Sequence, residues 1–199
     1  MGPTMDQTPP PRPPSNQARA SDPGGITIDP ERLRRLSPAL FGLSGLLPGN
    51  ALSRAGLGSR VSKGDSRAAV VMSVDPLLVA AYSDDFDAVV LLRFDPRPTD
   101  VDLVVGTRLL TVNTFSPDGE PAPDILRGPL AASGWRNVHP VIADFVCTRQ
   151  DLDRVERRKR AIAEDEWQRT WALGHQYLTT RPQLVRDGAP HLAGRPAGR

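Results

Sequence analysis

This 199-residue chain contains two clusters of aspartates whose carboxylates could bind a metal ion. They lie in the segments 83–87 (SDDFD) and 100–102 (DVD). Because divalent cations bind clustered carboxylate oxygens, Asp85, Asp87 and Asp102 are the residues to test if a metal is found. Turn and capping roles explain the same aspartates without a metal. We therefore predict no metal and no other cofactor.

The segment 137–144 (NVHPVIAD) is the most distinctive polar stretch. His139 and Asp144 could face one pocket, which would suit a small metal-dependent hydrolase. The favoured alternative is a histidine at a helix N-terminus, satisfied by the backbone. Cys147 lies eight residues from His139, a spacing that does not indicate a Cys–His nucleophile pair.

Known catalytic and nucleotide-binding patterns are missing from the chain. The motifs GxSxG, HExxH and GxGxxG do not occur. The glycine-rich segment 56–66 precedes a predicted strand, whereas a phosphate-binding loop follows a strand and opens a helix. The sequence therefore leans against an enzyme.

Basic residues 157–160 (RRKR) could bind nucleic acid, with Arg157 and Arg158 as the contacts to test. Phosphate binding, however, needs a net positive potential. Residues 151–170 carry six acidic and six basic side chains, and three acid-first pairs are spaced i,i+4. A solvated, self-paired helix face is therefore the favoured interpretation, and nucleic-acid binding is the alternative.

Three aromatic residues near the C-terminus are noteworthy because aromatics make up only 5% of the chain. Trp167 and Trp171 are spaced i,i+4, and Tyr177 continues the same apolar stripe. They either anchor a helix to a sheet or form a protein–protein hot spot, in which Trp and Tyr are enriched.

Charge is distributed unevenly along the chain. Residues 68–125 carry three basic and ten acidic side chains, net −7, between flanks of net +4 and +5. This asymmetry favours packing of the chain on itself or on another copy, whereas a uniformly basic protein would suggest nucleic acid.

Cysteine content and hydropathy predict the compartment. The single cysteine excludes an internal disulfide and a cysteine-based zinc site. We see no signal-peptide pattern and no apolar run long enough to span a bilayer. We expect a cytoplasmic protein without a transmembrane segment.

Composition divides the chain into four parts. Residues 1–25 hold seven of the 21 prolines and are predicted to be a disordered tail. Residues 26–65 are predicted to form a short helix, capped by Asp29, and a Gly/Ser/Leu-rich linker. Residues 66–182 would form a single domain, and residues 183–199 a second disordered tail.

The domain is predicted to be α+β. Apolar runs predict strands at 68–74, 88–94, 101–105 and 108–115, with a hairpin turn or a bulge at Gly106. Helices are predicted at 77–82, after Pro140, and over 148–180, the last one kinked or ended at Gly174. These elements suggest a small, mainly antiparallel or mixed sheet of about four strands with the C-terminal helices packed on one face.

The preferred function is a non-enzymatic protein–protein interaction or adaptor module that self-associates through the C-terminal helix. Its partner would be another protein or a second copy. A nucleic-acid-associated protein is the first alternative, and a small hydrolase is the second.

Overall fold

The computed structural model describes residues 23–41, 48–117, 120–125 and 135–190. The predictions made for residues 1–22 and 191–199 lie outside the described residues, as does the part of the predicted linker at residues 42–47.

The described residues contain five α-helices, six strands and three short 3-10 helices (Pro38–Leu40, Arg149–Asp151 and Pro182–Leu184). The helices are α1 Pro30–Leu36, α2 Pro48–Lys63, α3 Ala143–Val146, α4 Leu152–Ala161 and α5 Glu164–Thr180. The strands are β1 Asp65–Val74, β2 Leu77–Ser83, β3 Ala88–Phe94, β4 Arg108–Ser116, β5 Asn137–Ile142 and β6 Arg186–Asp187. Within the described ranges, every helix is too short or too polar to cross a membrane.

The strands form one mixed sheet in the order β5-β4-β1-β2-β3-β6. Neighbouring strands are antiparallel except β3 and β6, which are parallel. The α+β class is therefore confirmed, but the sheet has six strands where the sequence predicted about four.

Residues 77–82, predicted as a helix, form a strand. The helix predicted after Pro140 is confirmed only in part, because residues 141–142 belong to β5 and Ala143–Val146 forms α3. Residues 77–82 follow Asp75 and Pro76, which resemble a helix start, yet they form β2, in which every residue is buried. A strand buried on both faces is continuously apolar and lacks the alternation that distinguishes strands from helices. Pro140 lies within β5 opposite Asn113. Proline is tolerated there because β5 is the edge strand of the sheet.

Three other segments also differ from the sequence interpretation. Residues 101–105 form no strand and lead into a turn at Gly106, whose φ of +88° favours glycine. The glycine-rich segment that was interpreted as a linker contains α2. In the predicted C-terminal tail, β6 extends the sheet, because Arg186 and Asp187 pair with β3.

The sheet is curled, so that its two edges approach each other. Arg186 of β6 donates a hydrogen bond to the carbonyl oxygen of Val138 in β5, at 2.6 Å. The larger apolar core joins β1–β5 to α1–α4, and the smaller one lies beneath α5. The C-terminal helices therefore belong to two different apolar layers.

The predicted long helix over 148–180 is two helices. Ile162 and Ala163 have extended backbones, with ψ of 128° and 148°, and they separate α4 from α5. Gly174 does not break α5. A Cβ atom there would lie 2.8 Å from Met72 Sδ and 3.0 Å from Ala80 Cβ, so glycine lets the helix approach β1 and β2 closely.

Candidate interaction surface

Two of the three C-terminal aromatic residues are buried in the protein's own core. Trp167 packs against the sheet, with the Arg108 guanidinium 5.0 Å from its ring centroid. The Tyr177 hydroxyl lies 2.9 Å from the carbonyl oxygen of Asp124 and 3.2 Å from that of Leu184. Burial is the main cause that raises the pKa of Tyr177 to about 12. Neither ring is free to contact a partner.

Trp171, in contrast, is 37% exposed. Its ring stands edge-on to His175, with 4.4 Å between the centroids. Glu164 lies seven residues earlier, almost on the same face of α5, and it pairs with Arg108 at the start of β4 at 2.5 Å. Trp171 therefore lies on nearly the same side of α5 as Glu164, the residue that pairs with Arg108.

Two exposed valines precede the same end of β4. Val104 is 64% exposed and Val105 is 52% exposed. Their turn is held by a hydrogen bond from Thr107 N–H to the Val104 carbonyl oxygen, at 3.0 Å, and by one from Gly106 N–H to Val71, at 2.8 Å. The turn thus presents both valines to solvent in a fixed conformation.

We call Val104, Val105, Trp171 and His175 the Trp171 patch. Of the four large hydrophobic residues that are exposed in the described chain, only Leu152, at the start of α4, lies outside it. Sequence reasoning missed the valines because it interpreted 101–105 as a strand. The glycine directly after them was the available signal for a turn.

The basic residues at 157–160 are partly used inside the molecule. Arg158 donates a hydrogen bond to the Pro23 carbonyl oxygen at 2.8 Å, and Lys159 pairs with Asp144 at 2.8 Å and Glu156 at 2.5 Å. Arg157 is exposed. The contacts of Arg158 and Lys159 hold the N-terminal segment and α3 to α4.

The aspartates proposed as metal ligands have structural roles or lie apart. Both carboxylate oxygens of buried Asp87 accept hydrogen bonds from Arg169, at 3.1 and 2.7 Å. Asp85 is buried, whereas Asp102 is exposed in the loop before β4. Within the described ranges, no three His, Cys, Asp or Glu side chains are grouped to hold a metal ion.

His139 and Asp144 have separate partners. His139 Nε2 lies 3.4 Å from Ser116 Oγ, whereas Asp144 accepts hydrogen bonds from Leu110 N–H at 2.7 Å and Lys159 Nζ at 2.8 Å. Burial raises the pKa of Asp144. The pKa of His139 is lowered to about 4, mainly by burial. No hydrogen bond in the described chain joins the two residues into a pocket.

No protein-family model, curated protein or solved structure matches this chain. The chain's own surfaces are therefore the basis for a function. Of these, the Trp171 patch combines an exposed aromatic ring with two exposed valines on a fixed turn.

Proposed function

We propose that this chain is a non-enzymatic protein–protein interaction module that self-associates through the Trp171 patch. The observation that carries the proposal is the exposure of Trp171 on α5, together with that of Val104 and Val105 in the turn before β4. Tryptophan is the residue type most enriched at energetic hot spots, and it loses little side-chain entropy on binding.

A second copy is the partner that this patch fits. In a twofold dimer the same surface meets itself, so the ring of Trp171 in one copy would cover Val104 and Val105 of the other. Arg108 and Glu164 flank the patch and are about half exposed, at 48% and 59%. Their opposite charges would lie opposite each other across the dimer axis and form a polar rim.

The test is sedimentation equilibrium of the full chain over a range of concentrations. We expect a dimer for the wild-type protein, and Trp171→Ala should weaken it about 30-fold, corresponding to a hot-spot loss of about 2 kcal/mol. The unfolding midpoint of the isolated monomer should fall less than that of Trp167→Ala, because Trp171 is 37% exposed and Trp167 only 3%.

Leu152→Ala is the matched control, because Leu152 is similarly exposed, at 41%, but lies outside the patch. It should dimerise like the wild type. A Val104→Ser/Val105→Ser double variant should resemble Trp171→Ala. A wild-type chain that stays monomeric up to about 100 μM, well above micromolar dissociation constants, would end this proposal, and so would equal losses in Trp171→Ala and Leu152→Ala.

A further inference from the structure

An arginine without an acidic partner lies half-buried in the last turn of α2. Among the described residues, Arg60 has no hydrogen bond or ion pair through its guanidinium, and burial lowers its pKa. Arg67, Arg169 and Arg186, in contrast, each pair with a carboxylate. A partly desolvated guanidinium without counter-charge is unfavourable, and its planar donor array matches the oxygens of a phosphate group.

The last turn of α2, which includes Arg60, packs on one face of the sheet. Gly64 donates a hydrogen bond to the Arg60 carbonyl oxygen at 2.7 Å, and a Cβ atom at Gly64 would lie 2.6 Å from Val112 Cγ1. The last turn of α2 therefore lies directly against β4. Residues two apart on a strand share a face, so Thr114 and Ser116 follow Val112 on the side that α2 covers.

His139 brings a third polar group to this face. It is the register partner of Thr114, so both side chains lie on the same side of the sheet. Its Nε2 atom lies 3.4 Å from Ser116 Oγ. The serine hydroxyl and the imidazole thus meet on the face that α2 covers.

Two arginines act on His139 from nearby. After burial, the positive charges of Arg186 and Arg60 are the next causes that lower the pKa of His139, and Asp124 opposes them. Asp124 is held by Arg186 through two contacts of 2.6 Å, so these two charges largely compensate each other. The charge of Arg60 is left uncompensated among the described residues.

We propose that Arg60, Ser116 and His139 form a binding site for a phosphate-type oxyanion, either free phosphate or a small phosphomonoester. Arg60 holds two oxygens through parallel N–H donors, and the Ser116 hydroxyl donates to a third. His139 donates through a ring N–H, and its protonated form is stabilised when the anion is bound.

The test is isothermal titration of the full chain with inorganic phosphate, and separately with glycerol phosphate, at neutral pH in low-chloride buffer. We expect saturable binding, which Arg60→Gln weakens about tenfold or more, as expected for loss of a charge-assisted hydrogen bond. Ser116→Ala should weaken it by a smaller factor. Tighter binding of glycerol phosphate would identify a phosphomonoester as the ligand, and tighter binding of phosphate would identify the free ion.

Arg157→Ala is the control for net charge, because Arg157 is exposed on α4 and the substitution removes the same charge elsewhere. It should bind phosphate like the wild type. NMR of the His139 ring adds an independent readout, in which phosphate should raise the pKa of His139 in the wild type but not in Arg60→Gln. Absence of saturable heat, or equal losses in Arg157→Ala and Arg60→Gln, would overturn the proposal.

Discussion

Replacing Lys159 with Met should destabilise the fold strongly, because it leaves Asp144 as a buried charge without a counter-ion. The two side chains are only 14% and 9% exposed, and Lys159 Nζ lies 2.8 Å from Asp144 Oδ1. Removing one member of such a buried pair costs about 3–5 kcal/mol. Methionine keeps most of the apolar part of the lysine side chain. The loss in free energy of unfolding therefore comes mainly from the missing charge. The second partner of Lys159, Glu156, is 51% exposed and adds little.

The cost of Lys159→Met should depend on pH in a defined direction. Burial raises the folded-state pKa of Asp144 above its unfolded value, so protonation of this group favours the folded state as pH falls. Without Lys159 the pKa of Asp144 rises further, and acid can neutralise the stranded carboxylate. The destabilisation should therefore be largest near pH 7.5 and smaller near pH 5. The pKa of Lys159 is raised, so in the wild type it stays charged at both pH values.

Urea denaturation at the two pH values measures this effect. Arg157→Ala on the exposed face of the same helix should change the free energy of unfolding by about 0.5 kcal/mol or less. An Asp144→Asn/Lys159→Met double variant should recover most of the loss, because asparagine is neutral and can still accept the hydrogen bond from Leu110 N–H. A loss below about 1 kcal/mol, or a double variant no more stable than Lys159→Met, would refute the reasoning about this buried pair.

Two further predictions use local geometry. Gly174→Ala should destabilise the fold by about 1–3 kcal/mol in urea denaturation, because its Cβ would lie within 3.0 Å of Met72 and Ala80. Gly58→Ala, whose Cβ meets no atom within 4 Å, should instead stabilise α2 by up to about 1 kcal/mol; equal effects at the two glycines would contradict the packing argument. In the absence of phosphate, the pKa of His139, lowered to about 4 mainly by burial, should keep its ring neutral down to pH 5. An NMR titration with a midpoint near 6.5 would contradict the burial of His139.

Local signals predicted some elements of this fold well. Asp29 caps α1 by accepting hydrogen bonds from the N–H groups of Glu31 and Arg32, as the sequence predicted. The apolar runs at 68–74 and 88–94 correspond to β1 and β3. In these cases the cap residue or the strand-length apolar run is itself the physical cause of the structure.

Tertiary packing decided the elements that the sequence did not predict. Ile162 and Ala163 carry no breaker signal, yet the chain turns there because α4 packs on β4 and α5 crosses β1–β3. Which tryptophan of α5 is exposed was likewise not predictable from the sequence. Trp167 and Trp171 are only about 40° apart around α5, yet Trp167 is buried against the sheet and Trp171 is exposed. Periodicity alone cannot predict this difference.

The two proposed sites lie at opposite ends of β4, and this separation makes them independently testable. The Trp171 patch adjoins Arg108 at the start of the strand, and the oxyanion site includes Ser116 at its end. Eight residue steps of a strand separate these residues by about 27 Å. Substitutions that far apart without shared partners are expected to act additively. Trp171→Ala should therefore weaken dimerisation without changing phosphate affinity. Arg60→Gln should weaken phosphate binding without changing dimerisation. A single substitution that abolished both would indicate that the sheet connecting them, rather than either site, had been damaged.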